Sequence, residues 1–157
     1  MYAKATFAAG CFWGIQLEFD KMTGVVSTRV GYSGGHKDNP TYEEVCSGTT
    51  DHAEVVEIVF DPSKVSYDEL LERFFHIHDP TQLNRQGPDV GTQYRSVVYT
   101  HDPSQEKATI EKVEELTRKR RFPGDIVTTI QPAQTFWAAE EYHQKYFEKN
   151  GGHGCSI

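Results

Sequence analysis

Tyr2-Ala3-Lys4-Ala5-Thr6-Phe7-Ala8-Ala9-Gly10-Cys11-Phe12-Trp13-Gly14 is the stretch on which the fold turns. Tyr2 to Ala9 is an apolar run of β type. Phe12, Ile15, Phe19 and Met22 then recur at helical spacing. Gly10 and Cys11 sit where the period changes, so the chain opens as strand, corner, helix. A thiol at such a corner faces unpaired backbone N–H groups and the positive end of the helix dipole, and both favour thiolate. Two large aromatics follow it directly. This combination suits an activated sulfur working on a small, soft, partly apolar group. It also suits a buried structural cysteine, since free Cys is among the most buried residue types. The local pattern leaves both readings open.

Outward from this corner, Gly24 is expected to stop the first helix and Val25 to Tyr32 to form a strand. Thr41 to Cys46 reads as a short helix with Cys46 packed inside it. His52 to Phe60 alternates as a strand up to Asp61-Pro62. Ser66-Tyr67-Asp68-Glu69 is a capping box that opens a helix with Leu70, Leu71, Phe74 and Phe75 on its apolar face. Residues 79–93 have no clear period, and an aperiodic loop of that length is often functional. Tyr94 to Thr100 reads as a strand, Asp102-Pro103 caps a helix to about Arg121, and Ile126 to Gln131 is a further strand. Phe136 to Glu148 reads as the last helix. The glycine-rich tail, about 149–157, is expected to be mobile and carries Cys155. Strands and helices interleave, and no glycine-rich phosphate loop follows a strand. The pattern predicts a two-layer α+β sandwich in a single domain spanning 1–157, rather than a doubly wound nucleotide fold.

The 157 residues can bury a core without disulfide staples. A net charge of −7 argues against nucleic-acid binding. The one basic run, Arg118-Lys119-Arg120-Arg121, falls at a predicted helix end, where cations suit the dipole. No apolar run reaches membrane-spanning length, and no signal peptide is seen. Three cysteines make no disulfide framework, so a reducing cytoplasm with functional thiols is expected.

Glu54 shares a strand face with Val56, Ile58 and Phe60. A carboxylate turned toward that face would have a raised pKa and could donate a proton near neutrality. At the strand's end it could equally reach water. Tyr42 and Tyr94 sit at element edges, where a phenol can donate from an apolar wall. Asp89 in the aperiodic loop reads, alone, as a turn residue. Cys155 on a flexible arm fits a resolving thiol in disulfide exchange, or an inert exposed one. The seven histidines make no metal signature, and no CxxC pair or HExxH is present. His143 falls on the apolar face of the expected last helix, as a satisfied core or pocket-wall histidine rather than a ligand or base.

The ordered series of motifs is more specific than any one of them. It comprises Gly-Cys-Phe-Trp-Gly at 10–14, Gly-Tyr-Ser-Gly-Gly at 31–35 and Pro-Thr-Tyr-Glu-Glu-Val-Cys-Ser-Gly at 40–48. His-Ala-Glu at 52–54, His-Asp-Pro-Thr-Gln at 78–82, Gly-Thr-Gln-Tyr-Arg-Ser at 91–96 and Ala-Glu-Glu-Tyr-His-Gln at 139–144 follow. Together they resemble the peptide methionine sulfoxide reductases of the A type over nearly the whole chain. The resemblance implies a sandwich on a central mixed sheet, in the manner of a ferredoxin-like plait. It implies Cys11 as nucleophile, Glu54 as acid, and Tyr42 and Tyr94 as hydrogen-bond donors. Phe12 and Trp13 match the family's methyl pocket, and Asp89 a pocket residue. It also implies the S epimer of methionine sulfoxide, free or in proteins, as substrate. Cys155 would be the resolving thiol, and thioredoxin (or dithiothreitol in vitro) the reductant. A monomer with no bound cofactor and no metal is expected. The competing readings are a thiol peroxidase, a hydrolase pairing Cys11 with His143, and a non-enzymatic aromatic peptide-binding module.

Overall fold

The computed structural model describes residues 2–144. Strand β1 (Ala3–Ala9) turns at Gly10 into helix α1 (Phe12–Asp20). Strand β2 (Val25–Ser33), helix α2 (Tyr42–Cys46), strand β3 (Ala53–Phe60) and helix α3 (Tyr67–His76) follow. Two short strands, β4 (Arg85–Gln86) and β5 (Asp89–Val90), pair as a hairpin inside the aperiodic loop. Strand β6 (Ser96–Thr100), helix α4 (Pro103–Arg118), strand β7 (Thr129–Pro132) and strand β8 (Trp137–Ala138) complete the elements. The main sheet has the order β7-β6-β1-β3-β2-β8. Its pairs are antiparallel except β6 with β7, so the sheet is mixed and the fold is α+β.

Local signals explain the helix starts. Thr41 with Glu44, and Ser66 with Glu69, each form a reciprocal capping box; Asp102 caps α4 ahead of Pro103. Each cap satisfies backbone donors that the helix cannot, worth about 1 kcal/mol apiece.

Register then sorts the faces. Ala5 pairs with Ile58 and Phe7 with Val56, while Phe7 also faces Val98. These side chains share the helix-covered face with Phe12, Ile15 and Phe19 of α1 and Leu70, Leu71 and Phe74 of α3. Phe7 stacks on Phe19 at 5.5 Å and on Phe74 at 5.0 Å. A slip of one residue would exchange this face for Thr6 and Glu57, so the core fixes the pairing. The reverse face carries a smaller cluster, Ala8, Ala53, Val55, Val97 and Tyr99, against which Ala133 and Phe136 pack. Arg29 lies 4.7 Å over the Phe136 ring and pairs with the buried Glu57 at 2.7 Å.

Several expectations need correction. Helix α1 stops at Asp20, and Met22 packs against the core from beyond it. The strand expected from Tyr94 starts at Ser96; Thr92–Tyr94 is a 3₁₀ turn. His78 lies past the end of α3. It bonds the Phe74 carbonyl at 2.6 Å and the Ser96 hydroxyl at 2.8 Å, and burial pushes its pKa down to about 4. Residues 136–144 form no α-helix. Trp137 and Ala138 pair with Tyr32 and Gly31, and Glu141–His143 is a 3₁₀ turn. The open edge of β2 offers unpaired backbone groups, which compete with a helix for this segment's hydrogen bonds. Gln144 extends the substitution with its side chain, accepting from the Val30 N–H at 3.0 Å and donating to the Val30 carbonyl at 2.9 Å. The remainder of the expected helix, and the tail with Cys155, lie outside the described residues.

Candidate active site

Cys11 is the N-cap of α1, with extended backbone angles, and is 8% exposed. Its position depends on Gly10, whose φ is +97°. A Cβ there would meet Gln86 side-chain carbons at 2.8 Å. Gln86 is itself buried and clipped to Asp79, accepting from the Asp79 N–H at 2.8 Å and donating to its carbonyl at 2.9 Å. The corner is therefore backed by the aperiodic loop, a contact that periodicity does not reveal. The sulfur of Cys11 is disulfide-bonded in this structure, its oxidised state.

Glu54 reaches the same corner from β3. It is 1% exposed, which decides against the reading in which it reaches water. Its Oε1 accepts from the Phe12 N–H at 3.2 Å, one of the unpaired donors at the start of α1. Burial pushes the Glu54 carboxyl up to about 8; the Phe12 N–H opposes this and the nearby Asp89 carboxylate adds to it. At neutral pH the group is mostly the acid.

Tyr42, Tyr94 and Asp89 gather around this acid, since each interacts electrostatically with it. Burial pushes both phenols above their ordinary range, so they remain donors at neutral pH. Burial also raises Asp89, whose Oδ2 is buried with no hydrogen-bond partner among the described residues. Cys46 is not packed as expected. It is exposed on the short α2, where only Val45 is buried, and its thiol lies beside the Tyr42 and Tyr94 phenols.

The apolar wall is aromatic. Phe12 lies 5.8 Å from Tyr32 and 5.3 Å from His143, ring to ring. The Trp13 indole N–H donates to His143 Nδ1 at 2.9 Å. Glu140 fastens this wall: its Oε1 accepts from the Tyr32 hydroxyl and its Oε2 from the Tyr42 N–H, both at 2.9 Å. Sequence reading missed Glu140, Tyr32 and Gln86. Tyr32 and Glu140 stood within recognised motifs but carried no sign of their partners, and Gln86, in the aperiodic loop, carried no signal.

An apolar wall, a buried acid and a cysteine at a helix N-terminus suit reduction of a polar oxygen on a small apolar centre. The sequence matches the family model described as peptide methionine sulfoxide reductase over residues 3–157. The chain belongs to the peptide methionine sulfoxide reductase family. It is 61% identical over 156 residues to the peptide methionine sulfoxide reductase MsrA of Methanothermobacter thermautotrophicus, covering 99% of this chain and 92% of that one. It is similar to Mxr1 from Saccharomyces cerevisiae in reduced form, with a TM-score of 0.91 and 40% identity over 98% of this chain and 88% of that one. It is also similar to Mxr1 in complex with Trx2, with a TM-score of 0.65 and 27% identity over 92% and 84% of the two chains. Membership makes the chain an oxidoreductase of methionine sulfoxide and sets aside the peroxidase, hydrolase and binding-module readings.

Within this family frame, the structure brings together Cys11, Phe12, Trp13, Tyr42, Glu54, Asp89 and Tyr94. Among the described residues no group of His, Cys, Asp and Glu could hold a metal ion, and no helix is long and apolar enough to cross a membrane.

Proposed function

We propose that Cys11 reduces methionine S-sulfoxide, free or in proteins, with Glu54 as the proton donor. The observation that supports this most is the shared corner: the N-cap cysteine and the buried Glu54, whose pKa burial raises, meet at the first N–H groups of α1. The reduced Cys11 thiolate attacks the sulfoxide sulfur. Glu54 gives its proton to the sulfoxide oxygen, and Tyr42 and Tyr94 donate hydrogen bonds to the charge developing there. The oxygen passes to Cys11, leaving methionine and a sulfenic acid. Phe12 and Trp13 pack on the methyl group and select the hand of the sulfoxide, while Asp89 lines the pocket.

Cys155 then attacks the sulfenic acid, forming a disulfide and releasing water. Thioredoxin reopens that disulfide by exchange. The likeness to Mxr1, whose complex with Trx2 has been solved, supports such a reductant. No cofactor is bound, because thiols carry both electrons. The catalytic unit is the single domain 1–157, and it acts as a monomer in the cytoplasm. A net charge of −7 disfavours nucleic-acid partners. We read the scaffold as a ferredoxin-like plait, supported by the inner strand order β6-β1-β3-β2 with α1 and α3 as crossovers.

The test is Cys155→Ser. It is expected to yield about one methionine per chain and then stop with sulfenic acid accumulated, because resolution is lost while attack is not. Sustained thioredoxin-driven turnover in this variant would contradict the resolving role and point to Cys46 or direct reduction.

A further inference from the structure

His143 stands out because no role above uses it. It is 1% exposed and enclosed by rings from three segments: Phe12 and Trp13 of α1, Tyr42 of α2, and its neighbour Tyr142. An indole N–H can only donate. The 2.9 Å bond from Trp13 therefore requires a lone pair on His143 Nδ1. The neutral ring then carries its proton on Nε2, and Nε2 is buried with no partner among the described residues. Among the described residues nothing on that side competes to set the tautomer, so the Trp13 bond selects it.

We infer that His143 is the positioning residue of the methyl pocket, holding the Trp13 indole in place through its unprotonated Nδ1. This rests on the proposal that Trp13 contacts the substrate methyl. Protonation would set an N–H on Nδ1 against the indole N–H and break this bond, loosening the wall at Trp13. Among the described residues the charged groups facing His143 are Glu140 of its own segment and Glu43 of α2, with Tyr42 and Tyr142 as titratable neighbours. Both carboxylates favour the cation, but burial outweighs them and His143 sits below the ordinary histidine value. The lock is thus closed at neutral pH and opens only in acid, below the ordinary histidine range.

The test follows the indole N–H resonances of Trp13 and Trp137 by ¹H–¹⁵N correlation NMR on the full chain, assigned with Trp137→Phe. In the wild type the Trp13 resonance is expected to shift as pH falls below the ordinary histidine range, and the Trp137 resonance to stay. His143→Phe should move the Trp13 resonance upfield and remove its pH dependence. It should also raise KM for a methionine S-sulfoxide peptide by up to about tenfold, the equivalent of one neutral hydrogen bond. His143→Asn retains an acceptor near the Nδ1 position and should restore much of both. A Trp13 resonance that ignores pH in the wild type, or His143→Asn no better than His143→Phe in both readouts, would overturn the inference. If His143→Phe does not fold, the wild-type titration alone decides. A resonance that behaves as expected while KM is unchanged would preserve the lock and reject the Trp13 methyl contact instead.

Discussion

The Cys11–Glu54 corner and the segment from Ala133 to Gln144 meet where His143 touches Phe12 and Trp13, but they are built in different ways. The corner belongs to regular elements: a strand pair in fixed register delivers Glu54, and a helix start delivers Cys11. The segment has only a two-residue strand and a 3₁₀ turn, and side chains do the fastening. Glu140 binds Tyr32 and Tyr42, Gln144 binds Val30, and His143 binds Trp13. Backbone periodicity thus places Cys11 and Glu54, whereas side-chain bonds to neighbouring strands and helices fasten the aromatic wall beside them.

The sharpest way to break this division is Cys11→Ser, which is expected to abolish sulfoxide reduction while leaving the folded state intact, as circular dichroism would show. Retained activity would move the nucleophile to Cys46, beside Tyr42 and Tyr94. Glu54→Gln comes next. It should slow sulfenic-acid formation by about 10²–10⁴-fold, the usual worth of a positioned acid. The sign of the pH dependence is fixed by the raised carboxyl. The acid form is populated below about 8 and lost above it. Wild-type single-turnover rates should therefore fall as pH rises through that value, and the variant should not show this limb. Rapid-quench measurement from pH 6 to 10, a range chosen to span about two units either side of the carboxyl, reads both.

On the other side of the comparison, Glu140→Gln should act on the wall. Only one of its two acceptors survives, so about 1–3 kcal/mol of stability is expected to be lost, seen as a lower midpoint in calorimetry. The pH limb due to Glu54 should stay where it is. A displaced limb would show that the segment tunes the acid as well as the wall.

The same contrast explains what the sequence made legible. The change of period at Gly10 announced the β1–α1 corner, and strand phase turned Glu54 toward the core, where it is found. Burial decided what phase could not, because a strand end can face either water or a neighbouring helix. The segment after Phe136 misled because its apolar spacing fits a helix, yet the open edge of β2 takes its backbone bonds. Cys46 misled for a related reason: a helix as short as α2 has too few turns to define an inward face. Gln86 and Glu140 carry no period at all, and their partners lie in remote parts of the chain.

The most direct test of the central claim is single-turnover reduction of each separated epimer of a methionine sulfoxide peptide by the pre-reduced protein, with methionine and remaining thiols counted. The account predicts methionine from the S epimer alone, at a rate that declines above about pH 8, with no methionine from Cys11→Ser. Methionine from both epimers, or from neither, or an undiminished rate in Cys11→Ser, would contradict it.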